Sequence, residues 1–172
     1  MTRLVRDALE AVGHDHGLSH TEVKLTPNGP RIVEINPRLG GNYIAELVER
    51  VTGIDLLAAQ IDLALGRRPD FAGRPTGIRS AAIKFLIPPR AGRVSNVRGE
   101  ATLDTDPHVV RWSLNKIAGT DVRAPVDNAC YVGHVVAVDR NALGARQHAE
   151  RALSRVALTY ANQSSTSEAP VC

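Results

Sequence analysis

The sequence predicts an α+β fold, and three patterns in its 172 residues carry that expectation. β-prone runs around Val23–Leu25 and Ile32–Ile35 flank the turn signal Pro27-Asn28-Gly29. Helical apolar spacing marks residues 3–12, 43–51 and 55–65. Short strand candidates separated by turn-rich segments then fill most of the second half.

In chain order, Leu4, Val5, Ala8, Leu9 and Val12 share one helical stripe, with Gly13 as a stop. Pro27 presets the first turn position, Asn28 tolerates the second, and Gly29 can take the left-handed conformation. That chemistry favours a three-residue loop, a type I turn closed by a glycine bulge. Its register sets Thr26 against Pro30, Lys24 against Ile32 and Glu22 against Glu34. Side chains alternate along a strand, so Asn36 joins the glutamates on one face, while Thr21, Val23, Leu25, Val33 and Ile35 form the apolar face. A two-residue Asn28-Gly29 loop would put the two glutamates on opposite faces; Pro27 favours the longer one.

Beyond Gly41, Ile44, Leu47, Val48 and Val51 mark a packing helix interrupted by Thr52-Gly53, with Glu46 on its solvent side. Asp55 is the N-cap of a second helix, which contains Leu56, Leu57, Ile61, Leu63 and Leu65, exposes Asp62 and ends at Gly66. Two prolines and two glycines make 67–77 a linker. The expected strands are Ile78–Ile87, Gly92–Val97, Val109–Leu114 and Tyr131–Val138; Asn141 would cap a last helix reaching about Tyr160. The expected divisions are residues 1–66, 67–162 and a polar, disordered tail at 163–172.

Composition excludes several classes of function. With one Trp, three Tyr and two Phe, the chain has little aromatic surface on which to stack bases, and its net charge of +3 is dispersed, so nucleic acid is not an expected partner. No apolar run approaches the roughly 18 residues that cross a membrane. Cys130 and Cys172 suggest neither a disulfide scaffold nor a zinc site, making a cytoplasmic location the default. His14-Asp15-His16 has metal-binding letters without a third spaced ligand and reads as a solvated loop, and His134, inside an apolar run, reads as structural.

The chemistry concentrates between His20 and Gly41. Like charges at roughly 4 Å cost on the order of 4 kcal/mol at an effective dielectric of about 20, more than any cross-strand packing gain. Two facing glutamates therefore call for a cation, and two carboxylates with an amide oxygen suit a hard divalent ion that takes its remaining ligands from water and phosphate. Arg38, just past Pro37, could hold a carboxylate or phosphoryl oxygen bidentately, and His20 lies two residues before Glu22 on the same face. Gly40-Gly41 allows close backbone approach, and the helix that follows offers free N–H groups to an anionic substrate.

At these residues the chain resembles the ATP-grasp superfamily. Glu22, Glu34, Asn36 and Arg38 match its C-terminal signature, a Glu on one strand and Glu-x-Asn-x-Arg on the next. His-Thr-Glu-Val-Lys followed by Gly-Pro-Arg-Ile-Val-Glu-Ile-Asn-Pro-Arg-Leu-Gly-Gly looks most like carboxylate-amine ligases of the L-amino acid ligase type, and biotin carboxylase more distantly. Ala82–Pro89 and Gly133–Ala137 are similar to the C-terminal region of the same ligases. The resemblance implies the C-terminal lobe of an ATP-grasp fold followed by a small antiparallel β element and a C-terminal helix. It implies ATP and Mg2+, with Mn2+ as an alternative metal, and small-molecule carboxylate and amine substrates joined through an acylphosphate. Glu22, Glu34 and Asn36 would be the metal ligands, His20 and Lys24 would join them in binding the cofactor, and Arg38 would be catalytic. Lys24 departs from biotin carboxylase, where that position is apolar and lies near the adenine. The family's phosphate-binding lysines, glycine-rich loop and adenine-reading hinge precede the matched segment and are not recognisable in residues 1–18, so the chain is expected to need those segments, from a longer chain or a partner. Apolar surface left where that lobe should dock would favour homo-oligomers. A non-catalytic binding or assembly module that kept the hairpin is the alternative.

Overall fold

The two glutamates lie on a two-stranded antiparallel sheet of their own, formed by β1 (His20–Thr26) and β2 (Gly29–Asn36). The structure, a computed structural model, describes residues 1–115, 118–127 and 130–161; the expected tail at 163–172 lies outside them. The chain divides into two compact units, Met1–Ala81 and Ala82–Cys172.

In the first unit the hairpin is preceded by α1 (Thr2–Ala11), which lies against β2, and followed by α2 (Ile44–Thr52) and α3 (Leu56–Ala64), which pack together. Asp55 caps α3 as its sequence requires, accepting a hydrogen bond from the Ala58 N–H at 2.8 Å. Glu46 is not a solvent-side residue: it is half-buried and takes two bonds from Arg50, at 2.7 and 2.9 Å. The stretch expected to be a linker forms no helix or strand, yet Arg74 N–H donates to the Thr52 carbonyl at 3.0 Å and Thr76 to that of Val51 at 3.2 Å. Gly53 makes this contact possible, because a Cβ there would overlap the Arg74 backbone.

The hairpin differs from the expected one near its turn. Thr26 pairs with Gly29, not Pro30, so the loop is the two residues Pro27-Asn28, with Leu25 against Pro30, Lys24 against Arg31 and Val23 against Ile32. The Thr26 hydroxyl closes it, donating to the Gly29 carbonyl at 2.7 Å and accepting from Asn28 N–H at 3.2 Å. Continued regularly, this register would have set Glu22 against Val33 and thrown Glu34 to the other face. A bulge at Val33 adds one residue to β2 and restores Glu22 against Glu34 and His20 against Asn36. Ile32, rather than Val33, packs across from Val23; Val33 and Leu25 are 62% and 75% exposed and leave the apolar face to Thr21, Val23, Ile32 and Ile35.

The second unit holds two three-stranded sheets. One orders β3 (Ser80–Leu86), β7 (Gly133–Asp139) and β5 (Val109–Leu114); the other orders β6 (Asp121–Val122), β4 (Gly92–Arg98) and β8 (Ala157–Tyr160). A single turn, α4 (Ala101–Asp104), precedes β5. The last helix is shorter than expected: α5 runs Gly144–Leu153, and Ala157–Tyr160 forms a strand beside β4. β-branched and aromatic Val156, Thr159 and Tyr160 suit a pleated strand better than a helical turn. α5 covers β7 with Ala145, Ala149, Ala152 and Leu153, an i, i+4, i+7, i+8 stripe of mostly small residues that lets helix and strand approach closely. All seven residues of β7 are buried, and Val94, Leu103, Val122, Val135, Leu153 and Val156 centre the core. His134 is buried within β7, its ring tilted against Phe85 with centroids 6.2 Å apart.

Candidate metal and nucleotide face

Strand pairing places His20, Glu22 and Lys24 of β1 opposite Asn36, Glu34 and Arg31 of β2, so all six share one face. Arg31 is the member that reading from the turn misassigns: only the two-residue loop brings it beside Lys24. The face is graded in charge, with two cations nearest the turn, two carboxylates in the middle and an imidazole and amide at the far end. Like charges opposite one another are unfavourable in both inner pairs, and a metal-bound polyphosphate has the signs to relieve both.

Glu22 is half exposed and Glu34 is exposed. Water moderates their repulsion, which falls towards about 1 kcal/mol at 4 Å in a fully aqueous setting. His20 is the nearest polar neighbour, its Nε2 3.5 Å from Glu22 Oε1. Gly40 leaves room for the imidazole, since a Cβ there would stand 3.0 Å from His20 Nδ1. After Gly41 the chain takes two consecutive left-handed non-glycine residues, Asn42 (φ 52°) and Tyr43 (φ 64°), before α2. Such conformations cost of order 1–3 kcal/mol each and gather where a backbone must be held in one shape.

The donor set fits a hard divalent cation: two carboxylates from adjacent strands and a carboxamide. Asn36 Nδ2 is buried with no hydrogen-bond partner among the described residues. An unsatisfied buried amide costs about 1–3 kcal/mol. The two ends of a carboxamide are told apart only by their bonds, and with them exchanged the same place holds an unpaired oxygen, which a cation would complete. Arg38 is not gathered onto the glutamates; its guanidinium donates to the Leu39 carbonyl at 2.9 Å and is exposed. His14 and His16 bond backbone carbonyls, Gly17 at 3.3 Å and Leu63 at 3.4 Å, as loop residues do.

Sequence reading also missed a cluster in the second unit: His108 before β5, Asp139 at the end of β7 and His148 on α5, whose ligand-capable atoms all lie within 4.8 Å of one another. No motif announces it, since only the fold brings together residues 31 and 9 apart in sequence.

Comparison with known proteins bears on the fold and the family. Residues 84–161 match the family model described as L-amino acid ligase C-terminal domain 2. Carnosine synthase 1 of Gallus gallus is 43% identical over 94 residues, which are 53% of this chain and 10% of that protein. An uncharacterised Sinorhizobium fredii protein, y4rH, is 30% identical over 153 residues, 89% of this chain and 32% of its own length. The chain thus spans between a tenth and a third of these relatives. Among solved structures, L-amino acid ligase from Bacillus licheniformis superposes with a TM-score of 0.78 at 21% identity, covering 94% of this chain and 40% of that one. Phosphoribosylglycinamide synthetase from Anaerococcus prevotii follows at 0.73 and 14% identity, covering 91% of this chain and 40% of that one. The chain shares the fold of the matched part of these two enzymes.

Proposed function

We propose that this chain is the C-terminal part of an ATP-dependent ligase that joins a carboxylate to an amine, a reading supported by the match of residues 84–161 to the L-amino acid ligase C-terminal domain 2 model. The observation that carries this reading is the facing of Glu22 and Glu34, restored by the Val33 bulge, with His20 and Asn36 beyond them.

In this reading Glu22, Glu34 and Asn36 hold Mg2+, which when bound neutralises the β- and γ-phosphates of ATP. The remaining roles fall to the chain's own groups. Lys24 and Arg31 meet the nucleotide's anionic side, and His20, with its Nε2 3.5 Å from Glu22 Oε1, is close enough to orient that carboxylate. Arg38 gives up its local bond to Leu39 and takes the transferring phosphoryl group or the activated carboxylate bidentately. The chemistry activates the carboxylate as an acylphosphate with release of ADP; the amine nitrogen then bonds to the acyl carbon as phosphate departs. The L-amino acid ligase among the structural neighbours supports an amino acid as one of the two substrates. Positioning ATP, metal and acceptor together supplies most of the catalysis, so the chain works with the ATP-grasp segments that precede this lobe in the relatives.

Two measurements test this. Mn2+ titrated into the 172-residue chain and followed by electron paramagnetic resonance should bind, and Glu34→Ala should abolish that binding. In the complete enzyme the same substitution should lower amine-dependent ADP release by at least about a thousandfold, the scale of losing a principal electrostatic group. Metal binding without ADP release in any combination with the upstream segments would favour a non-catalytic module. Full activity in Glu34→Ala would remove the assignment.

A further inference from the structure

The second unit contains a group of side chains that the ligase reading does not use. Asp139 is buried at the end of β7, and its Oδ2 lies 2.6 Å from His148 Nε2 on α5. Its other oxygen accepts from the Asn141 backbone N–H at 2.8 Å and from the Asn141 side chain at 3.2 Å. Gly144, the first residue of α5, is what admits this carboxylate, since a Cβ there would overlap Asp139 Oδ2. The His108 ring stacks on His148, centroids 3.4 Å apart and planes within 6°. His108 Nδ1 lies 3.3 Å from the Val138 carbonyl, which can only accept, so Nδ1 carries the proton and Nε2 keeps its lone pair.

We propose that His108, Asp139 and His148 form a second cation site, selective for a borderline divalent ion such as Zn2+ or Co2+ and separate from the Mg2+ face of the hairpin. Two imidazole nitrogens and one carboxylate oxygen are a ligand set that zinc and its neighbours prefer and magnesium does not. The outer bond from His108 Nδ1 to a backbone carbonyl is the arrangement that orients metal-ligating histidines. Three elements carry the ligands, all within 4.8 Å, and the anion among them is fixed by two bonds from Asn141.

Binding has a definite structural requirement. Ligands about 2 Å from one ion stand roughly 3 Å apart, so the 2.6 Å Asp139–His148 hydrogen bond must lengthen and its proton must leave Nε2. Parallel rings cannot both aim an in-plane lone pair at one point, so one must turn; His108, held by a single bond of 3.3 Å, can pivot about that bond while keeping it. Arg151 opposes the change: its Nη2, 2.8 Å from His148 Nδ1, donates to that nitrogen and keeps the proton on Nε2. Ligation moves this proton to Nδ1 and displaces the exposed guanidinium. Arg151 is therefore the residue that limits affinity.

The test is titration of the 172-residue chain with Co2+, followed by its visible d–d absorption, with excess Mg2+ present throughout. A saturable one-to-one band is expected. It should survive Glu34→Ala and the paired substitutions His14→Gln and His16→Gln, and be lost in His148→Gln. Arg151→Ala should bind at least about threefold more tightly, a gain that a damaged fold cannot give. Absence of the band in the unchanged chain, its persistence in His148→Gln, or no tightening in Arg151→Ala would overturn the proposal. The hairpin reading is untouched by any of these outcomes, because its metal is assayed by Mn2+ binding at Glu34.

Discussion

Asp139 shows how one residue's protonation is written into the fold. The Asn141 N–H donating to its carboxylate, helped by the hydrogen bond from His148, holds its pKa below the ordinary 3.8 against the opposing effect of burial. A depressed folded value means that the carboxylate stabilises the folded chain above the unfolded pKa, and that this contribution is lost as the pH falls through the folded value. Asp139→Asn should therefore unfold more readily than the unchanged chain at pH 7, with the gap closing below pH 3.8; urea titrations across that range check it. Glu150 follows the same rule, held low chiefly by Arg146, with Lys84 adding to the effect. The glutamate pair was legible from residue types and spacing because Glu-x-Asn-Pro-Arg is compact and the extra residue expected in the loop is found instead at Val33, which leaves the same register at Glu22 and Glu34. The His108–Asp139–His148 group was not legible, because nothing local in the sequence records which distant loops and helices a strand end will meet.

At the scale of elements, periodicity revealed most of what the core needs. Helices α1, α2 and α3 lie where their apolar stripes set them, and β3, β4, β5 and β7 lie within two residues of their expected ends. What went unread was short or cross-paired: α4, β6 and β8 are two to four residues long and exist through their neighbours rather than through their own propensity. The hairpin loop was misjudged because Pro27-Asn28-Gly29 serves either turn length, and only the Val33 bulge reconciles the shorter loop with facing glutamates. Burial now separates side chains that look alike in sequence. Leu103 is 1% exposed at the centre of the second unit, whereas Leu57 on α3 is 61% exposed. Leu103→Ala should cost about 2–5 kcal/mol and Leu57→Ala less than about 1 kcal/mol, as read from chemical denaturation. Comparable losses at the two sites would contradict the packing described.

For the whole molecule, the chain matches 40% of the Bacillus licheniformis ligase and 32% of the Sinorhizobium fredii protein. No helix among the described residues is long and apolar enough to cross a membrane. The hairpin offers a convenient point of attachment for testing the proposed ligase reading. Because the extra residue at Val33 sets the spacing of the acids independently of the bend, the Pro27-Asn28 tip can be exchanged for Asn-Gly, or Asn28 for a cysteine bearing a fluorophore, without shifting either carboxylate. Mn2+ affinity within twofold of the unchanged chain is the expected result. In the proposed ligase, a dye seated there would then report, by a change in anisotropy, any docking of the remaining segments beside the hairpin.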